Sequence, residues 1–144
     1  MDWFVKAFIK ASLAWLVLAV SLGVAMAVRP AWLVYRPAHL HMALLGFVAM
    51  MIFGVAYHVI PRFTGNPLHS RKLAAIHWAL ANVGLAGLVV GFVTRVHWGG
   101  SAIPVLASGG VIAAAGAYAF AYNIWRTLDA TPRPAVAGVR VSRA

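Results

Sequence analysis

The sequence predicts an all-α integral membrane protein built as a bundle of four transmembrane helices. Sixty-three per cent of the 144 residues are hydrophobic and only 10% are charged, whereas soluble domains carry roughly 25% charged residues. The mean hydropathy is +0.86. Apolar runs long enough to cross a ~30 Å hydrocarbon core alternate with short segments rich in Arg, Pro, Gly and aromatic residues.

The predicted helices form one domain, residues 1–128, and each has a recognisable start or end. They cover residues 8–28, 38–60, 73–94 and 102–126. The first run ends at Arg29-Pro30; its basic start and the small residues of Ala25-Met26-Ala27 also fit a cleaved signal peptide. We expect it to be retained as the first transmembrane helix. Pro37 suits the first turn of the second helix, and Pro61 is predicted to end that helix.

The third and fourth helices are rich in small residues, which let membrane helices approach closely. Their glycines are Gly84, Gly87 and Gly91, then Gly109, Gly110 and Gly116. We interpret these stripes as packing surfaces. Residues 129–144 contain two prolines and three arginines without an apolar period, and they predict a basic C-terminal tail.

The basic residues predict the orientation of the bundle. Nine fall on the side of the N-terminus: Lys6, Lys10, Arg62, Arg71, Lys72, Arg126, Arg133, Arg140 and Arg143. Three fall on the other: Arg29, Arg36 and Arg95. Because Lys and Arg concentrate on the cytoplasmic side, both termini are predicted to be cytoplasmic. The net charge of +10 therefore reflects membrane topology, and nucleic-acid binding is not expected.

Composition also limits the chemistry. The chain has no cysteine, which excludes thiolate metal sites and disulfides. Its two acids, Asp2 and Asp129, lie outside the apolar runs. No intramembrane carboxylate is therefore available for a proton relay or a cation site.

His39 and His41 are the candidate functional residues, because ionisable groups at membrane depth are costly and tend to be functional. Two residues apart, they point roughly 200° apart around a helix and cannot share one small ion. Each can present an imidazole to a different large planar cofactor. Below His39 the face is small or aromatic, at Ala43, Gly46, Met50, Phe53/Gly54 and Tyr57. Below His41 it is aliphatic, at Leu45, Val48, Ile52, Val55 and Val59. Hydrogen bonding between helices, or hydration at the interface, is the alternative for either histidine.

Residues 36–127 resemble the catalytic subunit of haem–copper oxidases, a family that includes cbb3-type oxidases and nitric oxide reductases. The second helix opens with His39-Leu40-His41, and His58 follows 17 residues after His41. The phrases IPRFTG (60–65), KLAAIHW (72–78) and YNIWRT (122–127) come next. The order of these motifs is similar to their order in the His-x-His helix and the two following helices of the family. The chain thus resembles the third four-helix arc, one third of that subunit.

The resemblance implies a set of cofactor ligands. His41 is expected to ligate the iron of a low-spin haem b and His39 the iron of a second haem, while Arg36 and Arg29 are expected to bind haem propionates. Solvated interfacial cations are the alternative for the arginines. The family's copper ligands come from earlier helices outside the matching stretch, so copper is not predicted for one chain alone. His58 and His77 match positions that are not metal ligands, and His69 and His97 receive no role.

The resemblance also implies partners and a function. We expect a homo-oligomer, a dimer or a trimer, in the lipid bilayer of a bacterial inner membrane, with a hetero-complex or redox partner subunit as further options. A dimer is favoured because it brings two His41 side chains to one haem. The expected function is that of an electron-transferring membrane cytochrome b. The alternatives are an oligomeric oxygen or nitric oxide reductase, and a non-redox protein of haem handling, assembly or sensing. A pore or transporter is not favoured, because the sequence shows no inverted repeat.

Overall fold

The computed structural model describes residues 1–130, which are helical apart from short connections and contain no strand. Three continuous helical segments are long and apolar enough to cross a membrane: Trp3–Val28, Pro30–Thr64 and Arg71–Leu128. The third folds back at a 3-10 turn, Gly99–Ala102. The predicted all-α class is thus confirmed for the described part. Residues 131–144, which hold most of the predicted basic tail, lie outside it.

The regular elements follow one another with short connections. They are α1 Trp3–Val28, α2 Arg36–His41, α3 Met50–Thr64, α4 Arg71–Trp98 and α5 Ile103–Leu128. A 3-10 turn, Pro30–Tyr35, leads into α2, and a π-helical stretch, Met42–Ala49, joins α2 to α3 without a break. We call α2, the π-helical stretch and α3 together the histidine helix. The 26 residues of α1 span about 39 Å at ~1.5 Å per residue, enough to cross a bilayer core.

The histidine helix does not end at Pro61, so that prediction is wrong. Pro61 lies inside α3, which continues to Thr64 and ends at Gly65 with a φ of 69°. A proline removes one backbone hydrogen bond, that of its own N–H, and the residues after it can still bond to carbonyls one turn earlier. The Thr64 hydroxyl donates to the Ile60 carbonyl oxygen at 3.0 Å, which supports this turn.

The third predicted helix, 73–94, likewise continues beyond its predicted end. Arg95, His97 and Trp98 form the last turn of α4, and the helix ends only at Gly99, with a φ of 54°. Glycine adopts a positive φ without the steric cost that other residues carry. The helix end is therefore set by Gly99 rather than by the polar residues before it.

The π-helical stretch sets which face of the histidine helix is buried. Its hydrogen bonds run from residue i to i+5, which widens the turn. The buried positions accordingly recur every four residues: Ala38, Met42, Gly46, Met50 and Gly54. The helix thus keeps one face toward α1 and α4 along its length. Positions on the predicted aliphatic face of His41, such as Leu45, Val48 and Ile52, are exposed.

Helices α4 and α5 pack antiparallel with their backbones in close contact. A β-carbon on Gly87 would stand 2.9 Å from the Gly109 Cα atom, and one on Gly91 would stand 2.6 Å from the Leu106 Cα atom. Small residues are required wherever helices approach this closely. Because this stripe packs within the chain, it gives no support to the predicted homo-oligomer.

The core lies at the end of the bundle that carries the N-terminus and the α3–α4 loop, which we call the terminal end. An aromatic cluster joins α1, α3, α4 and α5 there: Phe4, Phe8, Phe53, Tyr57, His77 and Phe120. Nearby, the buried Asn123 side chain accepts from the Ser70 N–H at 2.9 Å and donates to the Ser70 carbonyl at 2.8 Å. This contact fixes the start of α4 against α5. His39 and His41 lie at the opposite end, which we call the histidine end.

Candidate functional site

His39 is held against α1 by a hydrogen bond to the backbone. Its Nδ1–H donates to the Ala19 carbonyl oxygen at 3.0 Å. Because a carbonyl oxygen can only accept, the neutral ring carries its proton on Nδ1 and has its lone pair on Nε2. A β-carbon on Gly23 would stand 3.1 Å from His39 Cε1, a tight contact, so the ring packs closely on α1. The structure therefore places His39 between the histidine helix and α1.

The face below His39 has less room than its small residues predict. Gly46 packs against Trp15 of α1, where an added β-carbon would stand 2.6 Å from the Trp15 β-carbon and 2.7 Å from the first ring atom of the indole. Gly54 packs against Phe8 in the same way, at 3.1 Å. Side chains of α1 thus occupy the space that the sequence predicts for a flat ring.

His41 is oriented in the same way but lies on a more open face. Its Nδ1–H donates to the Pro37 carbonyl oxygen at 2.8 Å, one turn earlier, which again leaves the Nε2 lone pair available. The ring packs on Phe92 of α4 with 4.7 Å between centroids. Two open depressions of about 280 Å³ each lie nearby. Pro37 and Phe92 line one of them, and His41 lines the other together with Leu44 and Leu45. His41 is therefore a pre-oriented imidazole on an apolar surface.

The two histidines do not form one metal site. His39 faces α1, whereas His41 faces α4 and the outside of the bundle. Within residues 1–130, no group of three or more His, Cys, Asp or Glu side chains could hold a metal ion. Each imidazole can thus supply a single ligand, as an axial ligand does for a haem, whose other donors belong to the cofactor.

Three arginines lie at the histidine end, and none of them forms an ion pair with a carboxylate within residues 1–130. Arg36 is exposed in the first turn of α2, and the Arg29 guanidinium lies 5.8 Å from the centroid of the Trp32 ring. Arg95, which the sequence analysis did not include in the site, lines the depression beside Pro37. Among residues 1–130, the ion pair that forms is Arg71–Asp2, at the terminal end. The arginines near His41 are thus available to an anionic group.

The remaining histidines have other surroundings. His58 accepts a hydrogen bond on Nδ1 from Arg62 at 2.8 Å, and His69 is exposed at the terminal end. His97 contacts the Tyr35 hydroxyl through Nε2 at 3.0 Å on the surface. His77, by contrast, is fully buried and bonded through Nδ1 to the Tyr57 hydroxyl at 3.0 Å. Sequence reasoning missed the Tyr57–His77 pair; its only signal was an ionisable residue inside an apolar run.

Comparison with known proteins identifies two relatives, while no family model matches the chain. The cbb3-type cytochrome c oxidase subunit CcoN1 of Stutzerimonas stutzeri is 31% identical over 117 residues, covering 64% of this chain and 25% of that protein. Cytochrome c oxidase subunit 1 of Rhodobacter capsulatus is 30% identical over 128 residues, covering 72% of this chain and 24% of that protein. The chain spans about a quarter of the length of these relatives.

These similarities confirm the predicted resemblance to the catalytic subunit of haem–copper oxidases. Together with the composition and the long apolar helices, they support a membrane protein with transmembrane helices.

Proposed function

We propose that the chain is a haem b-binding membrane cytochrome, resembling part of a haem–copper oxidase catalytic subunit, which transfers electrons to or from a partner. The observation that carries the proposal is the Nε2 lone pair of His41 on an open apolar face. A bound haem would supply an iron centre that accepts and releases one electron. The protein then has to add only axial imidazoles and a dry, shaped surface.

His41 would serve as an axial ligand of a low-spin haem. The hydrogen bond from Nδ1–H to the Pro37 carbonyl fixes the orientation and the tautomer of the ring, as carbonyl partners do for other metal-bound histidines. The exposed aliphatic side chains at Leu45, Val48 and Ile52 would face the porphyrin or the lipid.

A second axial ligand would come from another copy of the chain. On the face of His41, residues 1–130 offer one imidazole, whereas a bis-histidine haem needs two. A symmetric dimer would place two His41 side chains on opposite sides of one haem. A trimer resembling the three arcs of the family is the other arrangement, and a redox partner subunit is a further option.

Arg36, Arg29 and Arg95 would bind the propionates of the haem. They lie at the same end of the bundle as His41, and Arg95 shares a depression with Pro37, whose carbonyl holds the His41 ring. Guanidinium–carboxylate hydrogen bonds are charge-assisted and often bidentate, so they would orient the ring as well as retain it.

His39 would be the ligand of a second haem iron, although it fits a haem less well than His41. Its Nε2 lies close to Gly23 of α1, and α1 side chains fill the face below it. A second haem would require α1 to move away from the histidine helix. A single haem at His41 is therefore the main proposal.

We further propose four membrane crossings with both termini in the cytoplasm of a bacterium, in its inner membrane. The segment Arg71–Leu128 supports this count, because it turns back at Gly99–Ala102 into helices of 28 and 26 residues. Each is long enough to cross the bilayer core. The excess of Lys and Arg on the terminal side supports the orientation.

The proposal is tested by an optical spectrum of the detergent-purified protein, oxidised and then reduced with dithionite. A bis-histidine dimer predicts a sharp reduced α-band with about 0.5 haem per chain, since one haem serves two chains. Carbon monoxide binding to the reduced protein would instead indicate an open iron site, and thus the oxygen or nitric oxide reductase. Haem that is substoichiometric and lost on washing would indicate haem handling, assembly or sensing.

A further inference from the structure

Asn82 places a carboxamide near the middle of the apolar part of α4. It lies ten residues after Lys72 and thirteen before Arg95. At ~1.5 Å per residue, the amide is about 15 Å from the first cation and about 20 Å from the second along the helix. These distances put it close to the centre of a ~30 Å hydrocarbon core. Polar side chains at that depth are costly unless other groups bond to them, and they tend to be functional.

Residues 1–130 satisfy only part of this amide. Asn82 Oδ1 accepts from the Trp15 indole N–H of α1 at 3.3 Å, and Nδ2 donates one hydrogen to the Trp78 carbonyl oxygen at 2.8 Å. The second Nδ2 hydrogen has no acceptor within the described residues. Since an amide oxygen has two lone pairs, Asn82 can donate one further hydrogen bond and accept another. The bilayer core contains no water to form them, so protein has to supply the partner.

Asn82 lies where another helix can reach it. The residue is half-buried, at the edge of the outer face of α4. Ala79 and Ala86, about one turn before and after it, are exposed, and so is Val83, at 58%. Alanines let two membrane helices approach closely enough for their polar side chains to bond. The incompletely bonded amide therefore lies beside a helix face that is open to a neighbouring protein.

We propose that this face of α4 binds the same face of a second copy of the chain, with the two Asn82 amides hydrogen-bonded to each other. Copies inserted in the same orientation are related by a two-fold axis along the membrane normal, so residues near the axis meet their own counterparts at the same depth. A carboxamide is complementary to itself, because each Nδ2–H can donate to the Oδ1 atom of the other copy. A single asparagine in a helix–helix seam also fixes the register of the two helices.

This interface is separate from the proposed haem site. His41 packs on Phe92 of α4. At 100° per residue, Phe92 lies roughly 80° from Asn82 around the helix, and about 15 Å along it. The contact through Asn82 is thus a second one beside the proposed pairing of His41 side chains. It requires neither haem nor His41, and chains without haem should form it.

Disulfide cross-linking in phosphatidylcholine vesicles without haem tests this interface, since the chain has no cysteine of its own. Ala86→Cys should form a disulfide-linked dimer on oxidation and keep doing so when the protein is diluted with further lipid. Ala115→Cys, at an exposed alanine of α5, is the matched control, and its cross-linking by random collision should fall on dilution. Adding Asn82→Leu to Ala86→Cys should reduce the dimer about 5–30-fold, the effect expected of hydrogen bonds between membrane helices.

Equal cross-linking of Ala86→Cys and Ala115→Cys after dilution would overturn the proposal, and so would a dimer that Asn82→Leu leaves undiminished. Should Asn82→Leu not fold, Ala79→Leu decides the question in the same Ala86→Cys background. It keeps the amide and its bond to Trp15 but adds bulk that holds the two helices apart. Loss of most of the dimer is then expected, and an undiminished dimer would contradict the proposed contact.

Discussion

The close packing of α4 on α5 predicts opposite effects for the same substitution at two neighbouring glycines. A β-carbon on Gly109 would stand 2.5 Å from the Leu88 backbone nitrogen and 2.6 Å from the Gly87 carbonyl carbon. A β-carbon on Gly110 would meet only Leu88 Cδ2, at 3.7 Å, an ordinary van der Waals distance. Gly109→Ala therefore forces the two backbones apart, whereas Gly110→Ala does not.

The loss of stability expected for Gly109→Ala follows from these distances. The backbones must separate by about 0.9 Å to restore a contact of 3.4 Å. Overpacking of this kind costs about 1–3 kcal/mol. The better helix propensity of alanine offsets about 0.5–1 kcal/mol of this cost. We expect a net loss of about 1–2 kcal/mol for Gly109→Ala, and a gain of about 0.5–1 kcal/mol for Gly110→Ala from propensity alone.

Thermal unfolding in detergent, followed by far-UV circular dichroism, measures both variants. Each kcal/mol shifts the melting temperature by about 2–8 °C in a domain of this size range. Gly109→Ala should melt below the wild-type protein and Gly110→Ala slightly above it. Shifts of the same sign and size would refute the proposed packing of α4 on α5.

Three further predictions follow from other contacts. Asn123→Ala leaves the Ser70 N–H without its partner and should lower the free energy of unfolding by about 1–3 kcal/mol. A melting shift within error would show that this contact is not needed. Arg71→Gln breaks an exposed ion pair with Asp2 and should change stability by less than about 1 kcal/mol; a larger, salt-insensitive loss would contradict that. Arg95→Gln should speed haem transfer to an acceptor protein about tenfold, since charge-assisted bonds contribute about 1.5–3 kcal/mol; unchanged transfer would remove Arg95 from the site.

The class of the fold could be predicted because hydropathy and helix length are properties of single segments. The packing of the helices against one another could not be predicted in this way. The π-helical stretch Met42–Ala49 contains no residue type that marks it, and it changes which side chains of the histidine helix share a face. Pro61 is a helix breaker by propensity, yet near a C-terminus it removes too little to stop α3.

The sequence singles out the candidate residues of the site, whereas their surroundings are visible only in the structure. The spacing of His39 and His41 predicts that they point in different directions, and in the structure they contact different helices, α1 and α4. Which face is open depends on the position of α1, which no local pattern reports. Arg95 comes close to the His41 region only because α4 runs antiparallel to the histidine helix. The hydrogen-bond partner of His77 could not be predicted either, since Tyr57 lies 20 residues away in sequence.

The most direct test of the central proposal is the haem content of His41→Ala beside that of His69→Ala, both purified in detergent and reduced with dithionite. His69 is an exposed histidine at the far end of the bundle and serves as the matched control. The proposal predicts that His41→Ala loses the low-spin α-band and most of its haem, while His69→Ala retains both. An α-band of wild-type position and intensity in His41→Ala would contradict it.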